Sequence, residues 1–220
     1  ALGRKNYNSA ISAFQAAIRL DGQAVEAQEA LNQAQSERNL FAINGHLEKA
    51  DQFRAQEQWQ PALNEYNQAL KIDSNLLVVL PKREETAVRA RMDAALENAI
   101  NQPQRLTSDT IWQAAQVLYR KAGEIDNPGP RLQRQMTTLQ QLLQDAITPV
   151  VVTFNSDNLS RVTLQKIADL GSFSTRELEL KPGDYVIVAS REGYRDVRKE
   201  FTVAPRIKSL QLAIQCEEQI

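Results

Sequence analysis

The 220-residue chain is 42 % hydrophobic and 24 % charged, the proportions of an ordinary globular protein, which exclude a disordered or fibrous chain. Its 26 lysines and arginines stand against 27 aspartates and glutamates for a net charge of -1. The longest basic cluster, Arg195 to Lys199, is interrupted by Asp196 and Val197, so no concentrated basic face offers itself to nucleic acid. A single cysteine, Cys216, rules out an internal disulfide framework and a cysteine-only metal site, and no apolar stretch reaches the roughly 18 residues of a membrane span.

From the N-terminus, one pattern occurs three times. Tyr7, Ala10, Phe14, Ala17, Leu20 and Asp21 are followed by Trp59, Ala62, Tyr66, Ala69, Ile72 and Asp73, and then by Trp112, Ala115, Tyr119, Ala122, Ile125 and Asp126. Steps of three and four residues put each set on one helix face. The alanines let a neighbouring helix approach closely while the aromatics fill the space beside it. Each closing aspartate precedes Gly22, Ser74 or Asn127, residues that end helices. Such helical spacing with alternating alanines marks the aromatics as core rather than as a ladder for stacking a ligand.

Between the copies, Ala24 to about Gln56 has no proline and is rich in Ala, Gln, Glu and Leu, which predicts one unusually long helix. Leu40, Ile43, Leu47, Ala50 and Phe53 supply its apolar stripe, and Asn44-Gly45 is the one place where it would break. A further helix is expected from about Leu76 to Ile100, with Pro81 in its first turn or at a kink. Asn101 to Thr107 then reads as a loop, with Ser108 as N-cap of the helix carrying Trp112. After Asn127-Pro-Gly-Pro, the spacing of Leu132, Met136, Leu139, Leu143 and Ile147 predicts a last helix that covers the end of the stack.

From Pro149 the period changes to two. Val150, Val152 and Phe154 alternate with polar or outward positions, as do Leu178 and Leu180; Tyr185, Ile187 and Ala189; Val197, Phe201 and Val203; and Leu210, Leu212 and Ile214. Turn signals fall at Asp157-Asn158, Leu170-Gly171, Lys181-Pro-Gly-Asp184, Glu192-Gly193 and Ala204-Pro205. About six short strands in such a length predict a small antiparallel sandwich.

The repeated helix resembles the second helix of the tetratricopeptide repeat (TPR), although the copies lie 52 and 53 positions apart where that family repeats at about 34. Long first helices absorb the difference. The segment Leu180-Lys-Pro-Gly-Asp-Tyr-Val-Ile-Val-Ala-Ser-Arg-Glu-Gly-Tyr194 resembles the core of the PEGA domain, a β-sandwich module of bacterial surface and secreted proteins. The tetrapeptide that names that family is absent, and Ser156-Asp-Asn-Leu-Ser160 stands in its place. Together the resemblances imply a multidomain α plus β chain: a TPR-like α-solenoid over residues 1–147, its first repeat truncated at Ala1, and a PEGA-like antiparallel β-sandwich over residues 148–220. The TPR resemblance also implies a groove lined by first-helix residues. Aligned through Trp59, these are Asn44, Leu47, Asp51, Arg54 and Asn75. An ordinary solvated helix face is the competing reading of the same five.

Other constellations are weaker. His46, the one histidine, lies in the long helix without a nucleophile motif, and reads as a packing residue. Cys216 continues the parity of Leu210, Leu212 and Ile214, which points its thiol into the core, with a reactive thiol as the alternative. Glu177 and Glu179 share a strand face and would be the acid and base of a hydrolase, but Leu178 and Leu180 take the other face, so both glutamates are expected in solvent. Arg191, Tyr194, Arg195 and Arg198 gather near one turn, a grouping suited to carbohydrate, phosphate or an acidic partner; balanced by Glu192, Asp196 and Glu200, it reads first as a solvated face. No phosphate loop, zinc spacing or calcium loop occurs, and no cofactor or metal is expected.

The expectation is a non-catalytic scaffold that binds protein partners. The PEGA resemblance implies the bacterial cell envelope, most simply the periplasm, with a segment upstream of Ala1 tethering the chain to the inner membrane. The alternative is a sensory or ligand-recognition ectodomain whose β domain binds peptidoglycan or another envelope glycan.

Overall fold

The structure is a computed structural model that describes residues 6–220; the start at Ala1, on which the truncated first repeat rests, lies outside them. The chain is mixed, with six α-helices followed by two sheets of three and four strands among the described residues. The described residues divide into two compact units that part between Asp93 and Ala94.

In the first unit, α1 (Tyr7–Leu20), α2 (Val25–Ala55) and α3 (Trp59–Ile72) are followed by the start of α4 (Leu80–Asn101). The aspartates that close the first two stripes order the turns after them: Asp21 accepts the Gln23 N–H at 3.0 Å and Asp73 the Asn75 N–H at 2.9 Å. Both are Asx-type turns, which satisfy backbone donors just past a helix end.

The long helix is continuous through Asn44-Gly45, and its two halves face different neighbours. Leu31 and Ala34 pack with Ile11, Tyr7, Phe14 and Ile18 of α1. Ala50 and Leu47 pack with Tyr66 and Leu70 of α3 and with Val79. At about 100° per residue, Ala34 and Ala50 lie roughly 160° apart around the axis. The apolar stripes of the two halves therefore cancel over the whole helix, and α2 has no single apolar side. The stripe read from Leu40 to Phe53 belongs to the second half alone, and Leu40 itself is exposed. Pro81 sits in the first turn of α4, where its missing N–H has no helical acceptor to lose.

The second unit opens with the end of α4 and a 3-10 turn, Pro103–Thr107, that buries Leu106 where the sequence reads as loop. Ser108 stands at the N-cap of α5 (Asp109–Gly123), but its side chain makes no capping bond. In α6 (Pro130–Ile147), Leu132, Leu139 and Leu143 are buried, while Ile147 is exposed.

Seven strands follow: β1 (Val150–Asn155), β2 (Arg161–Leu164), β3 (Ala168–Gly171), β4 (Thr175–Leu180), β5 (Gly183–Ser190), β6 (Val197–Val203) and β7 (Ser209–Ala213). They form a sheet ordered β4-β1-β7 and another ordered β3-β2-β5-β6. The expectation of a purely antiparallel arrangement is corrected by β7, which runs parallel to β1 from Ser209 beside Val151 to Ala213 beside Asn155. Two short strands, β2 and β3, carry no alternation that marks them in the sequence. Leu170-Gly171, a turn signal in the sequence, ends β3, where Gly171 has φ +68 and the pairing with β2 shifts register, as at a bulge. One core draws on both sheets, with Val152 and Phe154 from the first, Ile214 just past the end of β7, and Val162, Leu164, Ile187 and Val203 from the second.

Candidate functional site

The five groove residues fall into two groups. Leu47, Asp51 and Arg54 converge on Tyr66 of α3. The Tyr66 hydroxyl donates to Asp51 Oδ1 at 2.6 Å and receives Arg54 Nη1 at 3.5 Å, and Arg54 Nη2 also reaches Glu85 Oε2 of α4 at 2.9 Å. Lys82 Nζ lies 3.6 Å from the other Asp51 oxygen. Burial, and then the hydrogen bond to Asp51, raise the Tyr66 pKa. Burial opposes the Arg54 charge, but the contacts with Tyr66 and Glu85 outweigh it and hold that guanidinium above its usual value. This cluster fastens α2, α3 and α4 together. Asn44 and Asn75 are exposed and stand outside it.

The stripe behaves differently in its second and third copies. Tyr66 is 1 % exposed, and Arg89 of α4 lies over the Trp59 ring, 4.4 Å from its centroid. In the third copy Trp112 donates its Nε1–H to the Leu143 carbonyl at 2.9 Å, and the Tyr119 hydroxyl reaches Gln140 at 3.2 Å. Both rings are only partly covered. They line a cleft of about 650 Å³ between α5 and α6 with Gln113, Gln116 and Gln144.

On the β region, Arg191 stacks over Tyr194 at 4.1 Å and lies 3.5 Å from Asp157. Arg195 pairs with Glu218 at 3.1 Å and Arg198 with Glu200 at 2.7 Å. Each predicted arginine thus has a carboxylate of its own unit, and Tyr194 packs against the core. Asp157, the second residue of the Ser156–Ser160 turn, receives the backbone N–H of Leu159 and Ser160 at 3.0 and 2.7 Å. Burial would raise its pKa, but the backbone and hydroxyl donors of this turn outweigh that and hold the carboxyl below the usual range. Ser160 Oγ in turn accepts the Cys216 N–H at 3.0 Å.

The remaining candidates have ordinary surroundings. His46 Nδ1 meets Glu65 Oε2 at 2.7 Å between α2 and α3. Cys216 is buried in the core of the β region. Glu177 and Glu179 are exposed on β4, and Thr153 donates to Glu177 at 3.4 Å. Among the described residues no group of acidic, histidine or cysteine side chains has the geometry of a metal site, and no helix is long and apolar enough to cross a membrane.

No protein-family model matches the chain, and no curated protein does. Function must therefore be argued from these surfaces. Sequence reasoning missed that Asp51 and Arg54 are tied to Tyr66. A signal was present: an acid and a base three positions apart on α2, on the face turned toward an aromatic stripe whose tyrosine needs a hydroxyl partner.

Proposed function

We propose that the chain is a non-catalytic protein–protein interaction scaffold, built of TPR-like helical hairpins and a PEGA-like β-sandwich, that works in the bacterial cell envelope. The observation that carries this reading is α2. Its 31 residues extend about 46 Å at 1.5 Å per residue, and α1 and α3, 14 residues each, pack along one half apiece, so each half keeps a side that its neighbour does not cover. Packing on opposite faces in its two halves leaves long polar strips, including Asn44, that the fold does not consume. The apolar side chains Leu77 and Val78, 76 % and 79 % exposed, lie beside Asn75 in the turn before α4. Exposed apolar groups next to polar ones suit a protein partner. The envelope setting rests on the PEGA-like segment alone. Binding of an envelope glycan by the β region draws less support, because Arg191, Arg195 and Arg198 are matched by carboxylates.

The test is site-specific photocrosslinking in cells. A photoreactive residue at Asn44 and one at Asn75 should capture the same protein, and excess unlabelled chain should compete it away. A probe at Gln15, exposed on α1, should not capture it. Equal capture from Gln15, or different proteins at Asn44 and Asn75, would refute the assigned surface.

A further inference from the structure

A free sheet edge is a row of unpaired N–H and C=O groups, and proteins commonly guard such edges with charged side chains, bulges or twist. Three of the four edges here are guarded. β4 carries Arg176, Glu177 and Glu179; β6 carries Arg198, Lys199 and Glu200; β3 is four residues long, holds Asp169 and pairs through a register shift. The fourth, β7, reads Ser-Leu-Gln-Leu-Ala, and its exposed side chains, Ser209, Gln211 and Ala213, are all uncharged.

The direction of the β7 backbone groups follows from two bonds. The Ile214 N–H donates to Asn155 O of β1 at 2.9 Å, so alternate residues Leu212 and Leu210 also turn toward β1 in the parallel ladder. Ser209, Gln211 and Ala213 then turn their N–H and C=O groups outward. The Ala213 carbonyl agrees, since it accepts Lys199 Nζ from β6 at 2.7 Å. That amine covers one end of the edge. Lys208 precedes the other end and is exposed. The result is a strip of uncharged side chains whose outward groups at Ser209 and Gln211 are open to pairing, with a lysine at each end and the Ala213 carbonyl held by Lys199.

We propose that the free edge of β7 receives an extended segment of a partner protein as an added strand, and that acidic residues flanking that segment meet Lys199 and Lys208. Strand addition draws affinity from main-chain hydrogen bonds and specificity from flanking side chains. Charge argues against a second copy of this chain as the occupant. Antiparallel self-pairing centred on Gln211 sets Lys208 of each copy opposite Ile214 of the other, one position from the Ala213 carbonyl that Lys199 holds, and like charges brought together across strands are destabilising. The inference deepens the scaffold reading and rests on it.

The test uses the full chain and a fluorescein-labelled peptide of alternating threonine and valine with a glutamate at each end. Anisotropy should rise saturably. A peptide ending in lysines should bind about tenfold more weakly, through like-charge repulsion. Gln211→Lys, at an exposed side chain, supplies the missing guard and should abolish binding with the melting temperature unchanged; Ser209→Lys provides a second variant should the first unfold. Failure of the glutamate-ended peptide to bind, undiminished binding by a folded guard variant, or a dimer in sedimentation that the guard variant dissolves would each overturn the proposal. If the peptide fails while Asn44 and Asn75 still crosslink one partner, the edge is refuted and the scaffold stands.

Discussion

Tyr66 and Tyr119 occupy the same position in two copies of one stripe, yet truncating them should have unequal consequences. Tyr66 is 1 % exposed, and a buried aromatic side chain removes about 200 Å² from water, which at about 25 cal/mol per Å² sets an upper figure of ~5 kcal/mol. Measured aromatic-to-alanine costs in cores run at about 3–5 kcal/mol, so Tyr66→Ala should cost about 4 kcal/mol. Tyr119 is only partly covered and its hydroxyl meets one amide, Gln140, so Tyr119→Ala should cost about half as much by the same area scaling. Each unit carries its own tryptophan, Trp59 in the first and Trp112 in the second. Urea unfolding followed by fluorescence, with the other tryptophan replaced by phenylalanine, therefore reads the two units separately. At a slope of about 2 kcal/mol per M, the Tyr66→Ala midpoint should fall by about 2 M and that of Tyr119→Ala by about 1 M. Equal shifts, or a larger one for Tyr119→Ala, would refute the claim that α2 and α4 seal the second copy while the third stays open.

Gly45 lies inside α2 with open space where a Cβ would stand, so Gly45→Ala should stabilise the first unit by about 0.5–1 kcal/mol in the same urea assay; a loss would mean that α2 breaks at Asn44-Gly45. Arg89→Met removes the cation from above Trp59 and should cost about 0.5–2 kcal/mol, with a change in Trp59 emission as the check; an unchanged spectrum would put the guanidinium elsewhere. Asp145, in contact with Arg206 and Gln141, and Asp157, in its turn, are both held below the usual carboxylate range because these donors outweigh burial. A depressed folded pKa contributes stability above the ordinary value of about 4 that is lost as pH falls through the lower folded value. The second unit should accordingly weaken below about pH 4, and Asp145→Asn together with Asp157→Asn should flatten that acid loss in a pH series of urea midpoints. An unchanged slope would show that neither carboxylate is better stabilised folded than unfolded.

Some of this was legible because it is periodic. The three stripes declare α1, α3 and α5 through steps of three and four, and Val150 to Phe154 declares β1 through steps of two, since local side-chain direction follows from backbone geometry alone. The length of α2 was legible in composition, because nothing between Ala24 and Gln56 but Asn44-Gly45 opposes a helix. Strands β2 and β3 were not legible. They are four residues each, too short for alternation to stand out, and a register shift between them blurs it further.

What the sequence determined by itself was where the six helices and the longer strands lie, and that the alanines and aromatics of each stripe face one way. The tertiary structure decided what those faces meet. It turned the two halves of α2 to opposite sides, drew Asp51 and Arg54 onto Tyr66, and laid β7 parallel to β1 across the 53 residues 156–208, a pairing no local pattern encodes because the partners are distant in sequence, while loop closure over that length costs little more than over a shorter one. It also left β7 as the edge strand with no charged side chain of its own. Neutral residues at Ser209, Gln211 and Ala213 mean nothing in a central strand and acquire meaning only when the neighbour on one side is missing.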